Sequence, residues 1–206
     1  MLGRMTRDGW WSARAIDPLA GPLARAVVDR TPVTPAQLTA VAALLCMAAA
    51  GGFLQAGRLW WAIGAVLYLA GGVADRAALA VAELRADRDG RFYRWLREAL
   101  TRCCFLGCAL GALLGQFART EDPVYPLLAV LVVGADLVFR ALTEGLPASV
   151  PVRFGLADLA FAACIAGPLT GLYLPVIVVA AVAVLCSGLS TVHRAWTFAA
   201  EPATRT

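Results

Sequence analysis

Charged residues that could do chemistry are concentrated in one segment of this chain, residues 74–102, ADRAALAVAELRADRDGRFYRWLREALTR. Long apolar runs flank it on both sides, so Asp75, Arg76, Glu83 and Arg102 fall within or at the ends of candidate membrane helices. A charged side chain inside a membrane is costly and usually functional. Carboxylates are ligands for Mg2+, and arginines bind phosphate oxygens. The segment therefore predicts one of these two sites, or ion pairs that tie adjacent helices together.

The end of this segment, RFYRWLREALTR at residues 91–102, resembles the end of the CDP-alcohol phosphotransferase signature, D-x2-D-G-x2-A-R-x8-G-x3-D-x3-D. Aligned with Tyr93 in place of the glycine before the last two aspartates, the chain has other residues at all four aspartate positions. These positions hold Arg76, Leu79, Arg97 and Thr101. Two other registers keep at most one acid, which leaves Asp75 and Glu98 as weak catalytic candidates. Similar phrases, such as TPVTPAQLT at residues 31–39, extend the resemblance over essentially the whole chain.

The resemblance implies a metal-dependent reaction in members that keep the signature. Their aspartates hold two divalent cations that bridge the pyrophosphate of a CDP-linked donor, and an alcohol displaces CMP. Arginine supplies no ligand to a cation, and Arg97 at a ligand position would repel one. We therefore predict that this chain has no catalytic residue, no metal site and no cofactor. A divergent enzyme would need Mg2+ or Mn2+ together with Asp75, Glu83 or Glu98.

Arginines at the former metal positions also suggest binding without turnover. Guanidinium groups bind phosphate oxygens through paired hydrogen bonds, and an anionic head group or a nucleotide phosphate would satisfy them. The candidate anion-binding residues are Arg76, Arg94, Arg97 and Arg153. The last of these lies near a family region that can contact an acceptor phosphate, and its alternative role is to set the membrane topology.

Composition identifies the broad class of protein. The 206 residues are 60% hydrophobic and only 16% charged, with a mean hydropathy of +0.72. Soluble domains are nearer half apolar and one quarter charged, so the sequence predicts an integral membrane protein. The net charge of +4 comes from arginines at the ends of apolar segments. That distribution disfavours nucleic acid as a partner and favours membrane lipids.

The apolar pattern predicts an all-α fold of six transmembrane helices. Each segment is near the roughly 20 residues that cross a bilayer. The predicted spans are residues 35–54, 59–81, 96–117, 125–141, 156–172 and 174–193. An amphipathic helix over residues 16–30 is predicted to lie on the membrane surface before them. The corresponding organisation is a cytoplasmic N-terminal segment at 1–34, a transmembrane domain at 35–198 and a cytoplasmic tail at 199–206.

Arginine placement predicts the orientation of these spans. With a cytoplasmic N-terminus, fourteen arginines lie on the cytoplasmic side, and only Arg58 and Arg119 lie on the other. This asymmetry follows the positive-inside rule. We therefore expect a protein of the bacterial cytoplasmic (inner) membrane, with both termini in the cytoplasm and the charged segment facing it.

Three functions remain open from the sequence. The first is a catalytically degenerate homologue that serves as a non-catalytic partner or regulatory subunit in phospholipid head-group synthesis. The second is a divergent active CDP-alcohol phosphotransferase that releases CMP. The third is a protein that binds an anionic lipid or a nucleotide. A homodimer or a heterodimer with an active paralogue is expected, and the G-x-x-x-G pair Gly107 and Gly111 could form a closely packed helix face for it.

Overall fold

The computed structural model describes residues 16–85, 91–143, 156–170 and 173–200, and within these ranges the chain is all-helical. Each of the six predicted apolar segments is helical wherever it is described. The helices are α1 (Asp17–Arg30), α2 (Pro35–Leu54), α3 (Arg58–Leu84), α4 (Arg91–Thr120), α5 (Val124–Thr143), α6 (Leu156–Phe161), α7 (Gly167–Thr170) and α8 (Tyr173–Ala200). A π-helical segment, Ala162–Ala166, joins α6 to α7.

The helices of the first half are long and apolar enough to cross a membrane. By length and composition, the described residues contain three such helices: Pro35–Leu54, Arg58–Leu84 and Trp95–Thr120. The second half contributes shorter apolar stretches, namely Val124–Phe139, Leu159–Thr170 and Leu174–Ser190. Large apolar side chains are exposed on both halves, among them Leu44, Leu59, Val66, Leu127, Val130 and Val179. An all-helical chain with such a surface is a membrane protein, because helices satisfy their own backbone groups in lipid.

Helix α1 packs against α3 through its small residues. Ala20 and Ala24 are buried there, in a cluster that includes Val81 of α3. Leu19 and Leu23, which belong to the face predicted to lie on the membrane, remain exposed. The alanines therefore hold α1 to the bundle, and the larger apolar side chains are left on its outside.

The connection between α1 and α2 is fixed by hydrogen bonds at both of its ends. Thr34 and Gln37 form a capping box, in which the Gln37 N–H donates to Thr34 Oγ1 (3.3 Å) and the Thr34 N–H donates to Gln37 Oε1 (2.9 Å). Arg85, just after α3, donates to the carbonyl oxygens of Val33 (2.7 Å) and Thr31 (2.8 Å). The end of α3 is thereby tied to the start of α2.

Glycines allow α2 to lie close to α4. A Cβ at Gly111 would be 2.9 Å from the carbonyl oxygen of Ala50, and one at Gly115 would be 2.6 Å from that of Phe53. Both distances are too short for a side chain, so only glycine permits this approach. In contrast, a Cβ added at Gly107 would meet nothing within 4 Å. Gly111 is therefore used for close packing inside the chain, whereas Gly107 is exposed and its Cβ position is open.

The interior joins the two halves of the chain. Phe53 of α2, Leu113 of α4, Val132 of α5, Leu159 of α6 and Ile177 of α8 are fully buried in one hydrophobic cluster. Because these side chains come from early and late helices, the second half packs onto the first along a shared core.

Candidate ligand-binding cavity

A cavity of about 210 Å3 lies between α2, α3, α4, α5 and the segment around α6. Most of its wall is apolar, from residues such as Ala42, Leu69, Phe105 and Ile165. The polar residues that line it are Thr39, Tyr68, Asp75, Arg76, Arg97, Thr101, Arg102 and Asp136. A concave apolar site with a few polar groups is the usual form of a ligand pocket. Its volume is below the about 300 Å3 at which drug-sized pockets begin, so it suits a small group.

Helix geometry explains why these charged residues meet. Helix α3 ends nine residues after Asp75, α4 begins six residues before Arg97, and α5 ends seven residues after Asp136. At a rise of 1.5 Å per residue, each lies about 9–14 Å from a helix end. Short connections place those three ends on the same side of the bundle. The three side chains therefore sit at similar depth, on adjacent helices.

Asp75 and Arg97 form a two-pronged ion pair across the cavity wall. Arg97 Nε donates to Asp75 Oδ1 (2.9 Å), and Arg97 Nη2 donates to Asp75 Oδ2 (2.5 Å). Both side chains are largely buried, at 18% and 15% exposure. This geometry is the strongest arrangement available to a guanidinium and a carboxylate. It ties α3 to α4 and uses both oxygens of the aspartate.

The other two arginines of the cavity also have acidic neighbours. Arg76 Nε lies 3.9 Å from Asp17 Oδ1 of α1, at the long end of ion-pair distances. Arg102 Nη2 lies 2.5 Å from Glu98 Oε1, one turn earlier in α4. The side chain of Glu98 is exposed, so this pair is well solvated and weak. Of these three pairs, Arg97–Asp75 has two short hydrogen bonds, and Arg102–Glu98 has an exposed carboxylate.

Asp136 is a buried, unsatisfied residue in the described lining of the cavity. Its side chain is 5% exposed, and among the described residues its Oδ1 has no hydrogen-bond partner. An unpaired buried acceptor typically costs about 1–3 kcal/mol. Native structures contain few such atoms, and each calls for a reason such as a missing ligand. Asp136 is one of the residues that line the cavity, so a ligand bound there could supply a partner to its carboxylate.

The side chains present do not fit the pair of divalent cations that the resemblance implies. Within the described residues, Asp75 and Asp136 are the carboxylates that line the cavity, and Arg97 occupies the first of them. No group of three or more histidine, cysteine or acidic side chains in that part of the chain could hold a metal. Mg2+ is usually held through carboxylates together with substrate phosphates, so one remaining carboxylate is a poor donor set for two cations.

The predicted site residues are only partly brought together. Arg76, Arg97 and Thr101 line the cavity, and Thr101 Oγ1 donates to the backbone carbonyl of Arg97 (2.9 Å). Leu79 and Glu98 do not line it. The remaining two candidates, Arg153 and the side chain of Arg94, lie outside the described residues.

The ion pair of Asp75 joins two adjacent helices, which is the arrangement predicted for ion pairs in this segment. Asp75 pairs with Arg97 on the next helix, although Arg76 is adjacent in sequence. Glu83 is exposed near the end of α3, and Arg85 donates to backbone carbonyls of the α1–α2 connection. Side chains at i and i+1 point to different sides of a helix, whereas facing helices bring distant residues together.

Sequence reasoning missed Asp136. It lies in the apolar run LLAVLVVGADLVF, so, like Asp75, it is an acid within a predicted span. Such acids are usually functional. The family signature drew attention to residues 74–102 and away from this helix. A uniform search for acids within apolar segments would have found it.

The fold and the cavity define a class: an all-helical membrane protein with a small, charged internal cavity between its helices. Comparison with known proteins adds no family to that class, since no protein-family model and no curated protein matches the sequence.

Proposed function

We propose that this protein is a non-catalytic membrane protein with CDP-alcohol phosphotransferase architecture. In this proposal its cavity binds a phosphate-bearing head group. The protein acts as a partner or regulatory subunit, in a homodimer or beside an active paralogue, in phospholipid head-group synthesis. The proposed architecture and pathway are based on the family resemblance, and the proposed binding is based on the cavity.

One observation carries this proposal: the Asp75–Arg97 ion pair in the cavity wall. Arg97 stands where the resemblance expects a metal-binding aspartate, and it occupies the nearest available carboxylate. A cation at this point would have to break a two-pronged ion pair and then tolerate the displaced guanidinium. Arg76 and Arg102 line the same cavity, and guanidinium groups suit phosphate oxygens.

The proposal includes six membrane spans with both termini in the cytoplasm. The apolar stretches Val124–Phe139 of α5 and Leu174–Ser190 of α8 are near the lower limit of about 17 residues for a crossing, and the helices continue beyond them, which supports two further spans. The fifth span would be the short, π-interrupted segment from α6 to α7. Helix α1 would lie at the cytoplasmic surface, with Leu19 and Leu23 toward the lipid.

Turnover and binding are tested separately on the full chain. For turnover, the purified protein is incubated with CDP-diacylglycerol, an alcohol mixture and Mg2+ or Mn2+, and CMP is measured. We expect none. Metal-dependent CMP release that Asp75→Ala abolishes would refute the proposal and establish the divergent enzyme.

For binding, native mass spectrometry reports lipids retained by the protein in mild detergent. The variant that combines Arg76→Gln with Arg102→Gln should retain about tenfold less phosphate-bearing lipid, because charge-assisted hydrogen bonds are lost. The control is Arg58→Gln, an exposed arginine at the start of α3, outside the cavity. An unchanged lipid population in the double variant would refute head-group binding.

The partner role is tested by co-expression with an active CDP-alcohol phosphotransferase from the same genome. We expect the two proteins to co-purify and the CMP-release rate of the enzyme to change. Absence of both association and any effect on the enzyme would refute this part.

A further inference from the structure

The charges around the cavity are not equally satisfied. Within the described part of the chain, each arginine that lines it has an acidic partner, in the pairs Arg97–Asp75, Arg76–Asp17 and Arg102–Glu98. In contrast, Oδ1 of the buried Asp136 has no hydrogen-bond partner among the described residues. Among the described residues that line the cavity, the group that lacks a partner is therefore an acceptor, which a hydrogen-bond donor on the ligand would satisfy.

We infer that Asp136 binds a primary ammonium group of the ligand. Given the proposed function, on which this inference rests, the ligand is a zwitterion: a phosphate ester that also carries an amine. Its phosphate contacts Arg76 and Arg102, and its ammonium group donates to Asp136.

The placement of the residues fits such a ligand. Asp136 belongs to α5, whereas Arg76 and Arg102 belong to α3 and α4, so the carboxylate and the two guanidinium groups come from different helices around the cavity. The volume of about 210 Å3 accommodates a small zwitterionic group but not a whole lipid. Acyl chains of a lipid ligand would have to remain outside the cavity.

An ammonium group meets the chemistry of Asp136 better than the alternatives. A carboxylate accepts only, and a buried one is best stabilised by a partner that is both charged and a donor. A divalent cation would need further carboxylates, and Asp75 is already bound by Arg97. A quaternary ammonium carries the charge but has no N–H to donate.

The test compares soluble ligands that differ in one group. Phosphoethanolamine has phosphate and amine, ethyl phosphate lacks the amine, glycerol 3-phosphate has hydroxyl groups in its place, and phosphocholine has a quaternary ammonium. Each is titrated against the full chain in phosphatidylcholine nanodiscs, with affinity read from thermal stabilisation and calorimetry. Phosphoethanolamine should bind at least about tenfold more tightly than the other three, as expected for a buried charge-assisted hydrogen bond.

Variants assign this difference to one residue. In Asp136→Asn, which keeps the size of the side chain, the advantage of phosphoethanolamine over ethyl phosphate should fall below about threefold, because the neutral amide no longer attracts the ammonium. The control Glu121→Gln, an exposed acid between α4 and α5, should keep the full advantage. If Asp136→Asn does not fold, the comparison of ligands on the unaltered protein still decides whether the amine matters.

The outcomes separate this inference from the proposed function. Equal binding of all four phosphates, or an advantage that Asp136→Asn retains, would overturn the ammonium assignment and leave phosphate binding intact. Failure of every phosphate compound to bind would overturn the proposed function itself. Nanodiscs with and without phosphatidylethanolamine identify the source: competition between this lipid and phosphoethanolamine indicates a lipid head group, and its absence indicates a soluble phosphate ester.

Discussion

Helices α2, α3 and α4 are packed differently at their two ends. Near the turns that join α2 to α3 and α4 to α5, Gly111 and Gly115 bring α4 onto the backbone of α2, and Phe53 fills the space between the helices. Toward the opposite end, α3 and α4 line a cavity through Asp75 and Arg97, while α3 stays close to α2 at Gly71, where a Cβ would be 3.2 Å from the carbonyl oxygen of Ala42.

The difference shows how side-chain size and charge divide one bundle into two regions. Where glycines face a backbone, helices touch and van der Waals contact holds them, as is common in membranes. Where long charged side chains face each other, the helices must stand apart, and paired charges replace packing. The closed end, near Gly111 and Gly115, holds the helices together, and the open end contains the cavity.

The largest expected effect is at the closed end. Gly115→Leu should lower the free energy of unfolding in detergent by about 3 kcal/mol or more, since its Cβ would meet the carbonyl oxygens of Phe53 (2.6 Å) and Leu54 (2.9 Å), which are backbone atoms that cannot move aside. Gly107→Leu on the same helix is the matched control, because its Cβ position is open. Equal stability of the two variants would show that the close approach of α2 and α4 is wrong.

The second largest expected effect is a loss of stability at the open end, when the Asp75–Arg97 ion pair is broken. Asp75→Asn and Arg97→Gln should each destabilise the protein by about 2–3 kcal/mol, somewhat below the loss seen for one member of a fully buried pair, because these side chains are partly exposed. The double variant should lose less than the sum of the two single losses. A double-mutant cycle by thermal unfolding measures this coupling, and strictly additive losses would mean that the two side chains do not interact.

Replacement of Asp136 should raise the stability of the protein, in contrast to the two preceding sets of variants. Asp136→Leu should stabilise the ligand-free protein by about 1–2 kcal/mol, because it removes an unsatisfied buried oxygen. Asp122→Leu, just before the same helix, should destabilise it by about 1 kcal/mol, because the Asp122 carboxylate accepts from the Val124 N–H (2.9 Å) at the start of α5. Chemical unfolding of both variants provides the measurement. A clear loss of stability in Asp136→Leu would show that this carboxylate has a structural partner.

The positions of the helices could be predicted from the sequence, but the contacts between them could not. Apolar runs located the helices well; the segment predicted at 35–54 is the helix Pro35–Leu54. Hydropathy is a local property of the sequence, so it predicts apolar helices without any knowledge of the tertiary structure. The pairing of Asp75 with Arg97, 22 residues away, is a tertiary property that depends on how α3 and α4 rotate against each other. The unsatisfied oxygen of Asp136 and the packing of Gly111 against α2 also depend on how the helices are rotated, so the sequence alone could not predict them.

The smallest expected effect is at the edge of the cavity. Glu98→Gln should change stability by no more than about 0.5 kcal/mol, because the pair it forms with Arg102 is exposed and lies within one helix. Loss of that carboxylate should leave Arg102 more available to an anion, so the affinity for ethyl phosphate should rise by about twofold, a gain typical of a weak exposed pair. Titration of the variant and the unaltered protein at low salt gives the comparison. A fall in phosphate affinity would mean that Glu98 holds Arg102 in its binding position. The ion pairs at the open end would then fix side-chain positions, as glycine packing fixes helix positions at the closed end.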